Sequence, residues 1–257
     1  MQITDVNCDM GESSALRTYN IQNDIDLFPF VSSVNIACCF HAGDTDTIDM
    51  LVERALEAGV AVGAHPSFDD RKNFGRTEVH LAPRNIYALM LFQMGAISAF
   101  MHARETKLHH VKPHGSLYNM ASVNRAIADA ICSAIKDFDP SLIVYGLSGS
   151  ELIRAAKSAG LASCSEVFAD RNYEDDSTLT PRTEKYALIE DPAQSAARVL
   201  EMINHGRIKT ASGNWIDIVA GTVCIHSDGH NALDLAKTLS ETLFFNGIKL
   251  QSPAQNK

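Results

Sequence analysis

The sequence predicts an α/β protein, a single (β/α) barrel built on a mainly parallel sheet. Three observations carry that expectation. Short apolar runs alternate with longer segments of helical period from one end to the other, the order that pairs parallel strands through helical crossovers. Seven strand-like runs fall within 257 residues, too many for a small open sheet and enough for a closed or nearly closed barrel. Finally, ionisable residues recur at the C-terminal ends of those runs, where the βα loops of a parallel fold build a site.

The strand-like runs are Ile3–Cys8, Val34–Cys38, Val60–Ala64, His109–Pro113, Leu142–Gly146, Ser163–Phe168 and Val223–His226. Helical period covers Asp46–Ala58, Pro83–Thr106, Val123–Phe138, Gly149–Ala159, Pro192–His205 and Ala232–Phe245. Thr45 or Asp46 suits the cap of the first of these helices, Pro83 a first helical position, and Asp191-Pro192 the opening of a late one. Gly59 and Gly160 stand where a left-handed residue ends a helix. The polar segment Asp170–Lys185 reads as a long loop over one face, a length usually tied to function. No repeat or linker divides the chain, so residues 1–257 are expected to form one domain.

Composition is that of a globular protein, 46% hydrophobic and 21% charged. A net charge of −9 repels phosphodiester backbones and anionic lipid, so neither nucleic acid nor membrane is expected as a partner. A local basic pocket for a small anion is compatible with that total. The N-terminus lacks the basic start and apolar run of a signal peptide, and nothing approaches the roughly 18–20 apolar residues of a membrane span. Cys8, Cys38, Cys39, Cys132, Cys164 and Cys224 follow no metal or CxxC spacing. They are read as reduced core thiols of a cytoplasmic protein.

The residues after each strand carry the chemistry. The first strand delivers Asn7, Asp9 and Glu12; the second leads to His41 and Asp44; the third ends in His65. Lys112 and His114 follow the fourth, Glu166 lies in the sixth with Asp170 and Arg171 just beyond, and the last delivers His226 and Asp228. Asp9 is either a backbone-accepting loop residue or a metal ligand or general base. Glu12 faces the same choice between capping and function. His41, His65, His114 and His226 are either buried neutral imidazoles or acids, bases and ligands. Lys112 in a strand needs a partner, because burying a lone ammonium costs several kcal/mol. Asp9 or Glu166 would serve, as would an anionic ligand. Arg171 and Arg182 flank the long loop as solvated residues or as carboxylate clamps. His80, His102, His109, His110, His205 and His230 read as structural or solvated.

There is no GxxxxGK[ST] and no GxGxxG opening a helix. Gly146-Leu147-Ser148-Gly149-Ser150 is either an anion cradle at a helix start or a plain capped turn. It departs from a Gly-x-Ser-x-Gly elbow at Ser150.

Seven blocks resemble a known family. They are Asn7-Cys8-Asp9-Met10-Gly11-Glu12; Asn35-Ile36-Ala37-Cys38 with Phe40-His41-Ala42-Gly43-Asp44; Gly63-Ala64-His65-Pro66; Asn73-Phe74-Gly75-Arg76; Val111-Lys112-Pro113-His114-Gly115 with Leu117-Tyr118-Asn119; Gly149-Ser150-Glu151-Leu152; and Glu166-Val167-Phe168-Ala169-Asp170-Arg171 continuing to Pro181-Arg182. In this order, over about residues 3–250, they look like the LamB/YcsF family, the A subunits of prokaryotic 5-oxoprolinases. The resemblance implies a seven-stranded (β/α) barrel related to polysaccharide deacetylases and some glycoside hydrolases. It also implies ATP-dependent hydrolytic opening of the 5-oxoproline lactam to glutamate, together with B and C partner subunits. In related deacetylases an Asp and later histidines hold a divalent metal, so Asp9, His41 and His65 become candidate ligands. The histidine of that pattern four residues after His65 is Asp69 here. Cys39, Ser227 and Asn172 replace residues that are usually small, and the loop from Ser13 to Gln22 is longer than usual, so substrate preference could differ.

From these residues a catalytic set of Asp9, His41, His65, Lys112 and His114 is expected. Asp9 or His65 would act as general base and Lys112 with His114 as oxyanion stabilisers. Asn7, Glu12, Asp44, Glu166, Asp170, Arg171, Arg182 and His226 form the expected substrate-binding set, with Arg171 or Arg182 gripping the carboxylate. A metal-dependent deacetylase acting alone and a non-catalytic binding subunit stay open as alternatives.

Overall fold

A computed structural model describes residues 2–14, 19–227, 229 and 231–255. Asp228, His230 and part of the first loop (15–18), all named above, lie outside the described residues. The strands are β1 (Gln2–Met10), β2 (Ser33–Ala37), β3 (Ala61–His65), β4 (His110–Val111), β5 (Ile143–Leu147), β6 (Ser163–Phe168), β7 (Arg207–Lys209), β8 (Trp215–Asp217), β9 (Thr222–His226) and β10 (Ile248–Leu250). The helices are α1 (Ile21–Ile25), α2 (Thr45–Glu57), α3 (Pro83–His102), α4 (Gly115–Val123), α5 (Arg125–Phe138), α6 (Glu151–Ala159), α7 (Pro192–His205) and α8 (Ala232–Phe245).

Strands β1 to β6 and β9 pair in that order, all parallel, and β9 pairs back onto β1. The result is the closed seven-stranded barrel the sequence predicts. β10 adds outside the ring, matching Gln2 with Ile248 at the start of β1. The antiparallel β7–β8 hairpin and β10 have no counterpart in the sequence reading. No helix among the described residues is long and apolar enough to cross a membrane.

Several boundaries differ for local reasons. Asp44, rather than Thr45 or Asp46, caps α2, its Oδ1 accepting from the Thr47 amide at 2.9 Å. Helix α3 ends at His102 because Glu105 turns left-handed (φ 55°) and the Thr106 amide bonds back to Met101. The helix expected over Val123–Phe138 is α5, starting two residues later, since Val123 is the last residue of α4. Asn124 ends α4 and caps α5 by accepting from the Ala126 and Ile127 amides. Asp191, Pro83 and Gly160 play the capping and terminating parts expected of them.

Strand periodicity sorts the side chains. Val6, Cys8 and Met10 of β1 join the apolar core under the helices, with Val34, Ile36, Val111, Val144, Val167 and Val223. The alternate residues of β1, Asp5, Asn7 and Asp9, turn inward and are polar. Asp5 accepts from the hydroxyls of Ser33, Tyr145 and Thr222, at 2.8, 2.9 and 2.7 Å. Above it, Asn7 donates to Glu166 at 2.9 Å and accepts from Asn35 at 2.7 Å. Burying such groups is tolerable only because each finds partners. The barrel is therefore filled by a hydrogen-bonded column whose upper end is the candidate site.

Candidate active site

The upper end of the column opens into a cavity of about 510 Å³. Its lining includes Asp9, Glu12, His65, Lys112, His114, Arg171, Arg182 and His226. Asn7 and Glu166 sit one level below, inside the barrel. His41 stands behind Glu12, Asp44 is engaged as the α2 cap, and Asp170 backs His226; none of these five lines the cavity.

Lys112 stands at the centre of the floor, fully buried. Its ammonium meets Asp9 at 2.9 Å, Glu166 at 2.7 Å, Asn7 at 3.1 Å and Cys224 Sγ at 3.0 Å. Both carboxylates expected as partners are thus used. Burial alone would lower its pKa, but Asp9, Cys224 and Glu166 outweigh that and raise it, so the charge is retained. Burial likewise raises the Asp9 carboxyl, yet His65 and Lys112 hold it well below the usual carboxylate range. Tyr118, for which the residue pattern alone suggests no role, donates to Glu166 at 2.7 Å.

Beside this floor, Glu12 Oε1 receives His41 Nε2 at 3.1 Å and His114 Nδ1 at 3.0 Å, with His65 Nε2 at 3.8 Å. Two glycines bring the layers together. Gly75 (φ 65°) and Gly115 (φ 56°) touch back to back, and a Cβ on Gly115 would collide with the Gly75 carbonyl oxygen. That contact lays Phe74 over His114, whose Nε2 meets the Phe74 carbonyl oxygen at 2.9 Å.

The partners fix the protons. A carbonyl oxygen only accepts, so His114 Nε2 and His65 Nδ1 (2.7 Å from the Lys112 carbonyl oxygen) each carry hydrogen. Their remaining nitrogens face each other at 3.0 Å, with the Asp9 and Glu12 carboxylates alongside. Two lone pairs among carboxylates repel, so a proton or a metal cation belongs there. Burial pushes His65 down, but Asp9 outweighs it and raises the pKa. His114 is lowered by burial and His41 is lowered to about 3, chiefly by burial and then by His114. Without a metal, one proton has to serve His65 Nε2, His114 Nδ1 and Glu12 Oε1 together.

A metal also fits the donors. Glu12, His41, His65 and His114 offer four ligand atoms within 4.8 Å of one another, the nitrogen and carboxylate set that zinc-class ions take. His41 Nδ1 is buried with no hydrogen-bond partner among the described residues. This group keeps the expected His41 and His65 and adds Glu12 and His114; the expected Asp9 falls instead in a second cluster, with Cys224 and His226.

Opposite the histidines, Arg171 and Arg182 line one wall. Burial, then Arg182, pushes the Arg171 guanidinium down to about 10, and its Nε has no hydrogen-bond partner among the described residues. Two cations that disfavour each other make a wall suited to a carboxylate. Above them His226 Nδ1 meets Asp170 at 2.7 Å. Cys39, expected beside the cavity, is not in its lining; its φ of 68° explains why a glycine suits that position.

Residues 4–257 match the LamB/YcsF family. The chain is 46% identical over 250 residues to the A subunit of the 5-oxoprolinase from Brevibacillus brevis, covering 97% of this chain and 98% of the relative. It resembles the crystal structure of the lactam utilization protein from Thermus thermophilus at 41% identity and a TM-score of 0.90, covering 98% of this chain and all of that one. At fold level only, it resembles the catalytic domain of a peptidoglycan N-acetylglucosamine deacetylase from Eubacterium rectale. That match has 12% identity and a TM-score of 0.51, and covers all of this chain and 92% of the other.

Proposed function

The chain belongs to the LamB/YcsF family, and on that premise we propose that it is the lactam-opening subunit of an ATP-dependent 5-oxoprolinase, working with B and C subunits in the cytoplasm. The observation that carries this reading is the pairing, across one cavity, of two arginines with a buried floor built around the Lys112 ammonium. A small cyclic amide bearing one carboxylate needs both. Arg171 and Arg182 would grip the carboxylate, leaving the ring carbonyl over Lys112, His65 and His114.

An unstrained lactam is a poor electrophile near neutral pH. Phosphorylation of its oxygen by ATP makes the ring carbon open to water; the C–N bond then breaks to leave an acyl phosphate, whose hydrolysis gives glutamate and inorganic phosphate. Lys112 and the proton between His65 and His114 would neutralise the negative charge of the phosphoryl group carried by that oxygen. Asp9 fixes both cations, and Glu166 with Tyr118 holds Lys112 from below. A divalent ion, if bound by Glu12, His41, His65 and His114, would supply Lewis-acid polarisation of the carbonyl at the same place.

The test is turnover in the complex reconstituted with B and C subunits. Asp9→Asn or His65→Ala should lower kcat by at least roughly two orders of magnitude, the range of one acid–base or oxyanion contribution. Near-normal turnover in both variants would show that the chemistry lies elsewhere.

A further inference from the structure

We propose that His226 and Asp170 form the proton-transfer pair of this site, with His226 Nε2 accepting the proton of the attacking water and Asp170 positioning the ring. This rests on the lactam-opening reading above and assigns its base.

The geometry excludes the other imidazoles. His65 and His114 each spend one nitrogen on a backbone carbonyl, and their second nitrogens face each other at 3.0 Å. His41 lies behind Glu12, off the cavity. Asp9 is already engaged by Lys112 at 2.9 Å and the Asn35 amide at 2.8 Å. His226 differs from all of them. An ionised carboxylate only accepts, so Asp170 Oδ2 at 2.7 Å fixes the hydrogen on Nδ1. That leaves the Nε2 lone pair directed into the cavity.

The neighbours agree with that tautomer. The Arg182 guanidinium, a donor only, approaches Nε2 at 3.4 Å, and a substrate carboxylate drawing Arg182 away would uncover the lone pair. Phe168 stacks on the ring with planes 16° apart, fixing its tilt. Nε2 also stands 3.9 Å from Asp9 Oδ2, so a proton acceptor lies at the edge of the cationic floor.

In the step proposed, the water oxygen bonds to the lactam carbon as its proton passes to Nε2. The C–N bond then breaks as the ring nitrogen takes that same proton, the new hydroxyl's proton also passing to the freed amine. The acyl phosphate left behind is hydrolysed by a second water to glutamate and inorganic phosphate. Asp170 keeps its Nδ1–H bond throughout, so no oxidant or extra acid is required.

The experiment uses the reconstituted complex with ATP and 5-oxoproline. His226→Ala should lower kcat by roughly 10²–10⁴-fold. Added imidazoles should restore part of the rate, in the order of their basicity. Asp170→Asn should lower kcat while leaving KM little changed. A His226→Ala complex with normal kcat, or one whose lost rate no imidazole restores, would overturn the assignment. Failure of the lactam reading would appear separately, as a wild-type complex without glutamate release. Nitrogen-15 NMR on this chain by itself still decides the pair in that case: it should show His226 as the Nδ1–H tautomer, and the Nε2–H tautomer would refute it.

Discussion

Lys112 shows how far one residue can be constrained. It is the sole cation touching both Asp9 and Glu166 among the described contacts. Lys112→Met would leave two buried carboxylates without it. Breaking such a group costs about 3–5 kcal/mol, so urea unfolding should show a loss of that size alongside lost turnover. A loss under about 1 kcal/mol would mean that the network does not depend on the ammonium. His110 makes a second prediction. Burial, with help from His109 and Lys112, holds its pKa well below 6.5. At His110 the unfolded chain therefore binds more protons below about pH 6.5, so this residue's contribution to stability rises with pH through that window, opposite in sign to that of His65, whose pKa is raised. The gain is fully present above about pH 6.5 and is lost on acidification, by up to about 1.4 kcal/mol per pH unit. His41 acts in the same direction, while the depressed carboxyls of Asp9 and Glu12 add their loss only below about pH 4. His110→Gln keeps a donor for Asn35 and should flatten the profile between pH 7 and 5. An unchanged slope would remove His110 from this account.

At the scale of elements, the β3–β4 pair positions the floor. Gly63 stands opposite His110, and a Cβ there would overlap the imidazole. β4 has two residues, so displacing His110 also displaces Lys112 just beyond it. Gly63→Ala should cost at least about 1–3 kcal/mol, the usual range for overpacking, and should lower turnover. Gly95→Ala, in open space on α3, should instead be neutral or stabilising by up to about 1 kcal/mol. Equal effects of the two changes would deny Gly63 this role. The same elements show what the sequence makes legible. Runs of five or six residues with caps at the following helix are readable, because period and capping are local. The hairpin β7–β8 and strand β10 are three residues each, too short for a period. Helix α4 hides behind Lys112-Pro113-His114-Gly115, which reads as the end of a strand.

For the whole molecule, the convergence of polar groups on one end of the barrel is visible in the sequence, while the depth of the polar column is not. The alternation Asp5, Asn7, Asp9 against Val6, Cys8, Met10 ordinarily means a strand with one wet face. Here closure turns that face inward, where Asp5 meets Tyr145, 140 positions away, at 2.9 Å. Partners at such separations leave no local trace. This also explains why Tyr118 and Asn35 are legible in the sequence only as family residues, without a role. For the same reason the sequence separates neither Glu12 and His114, which join His41 and His65, nor Asp9, which falls with Cys224 and His226. The Glu12–His114 contact depends on Gly75 and Gly115 touching, which no spacing reveals.

The proposed function is the opening of 5-oxoproline in this cavity as part of an assembly. Its most direct test is glutamate release from 5-oxoproline by the chain alone and by the chain mixed with B and C subunits, each with and without ATP. Glutamate is expected only from the full mixture supplied with ATP. A full mixture of folded components that releases none, or deacetylation of an N-acetylated sugar by the chain alone without ATP, would contradict it.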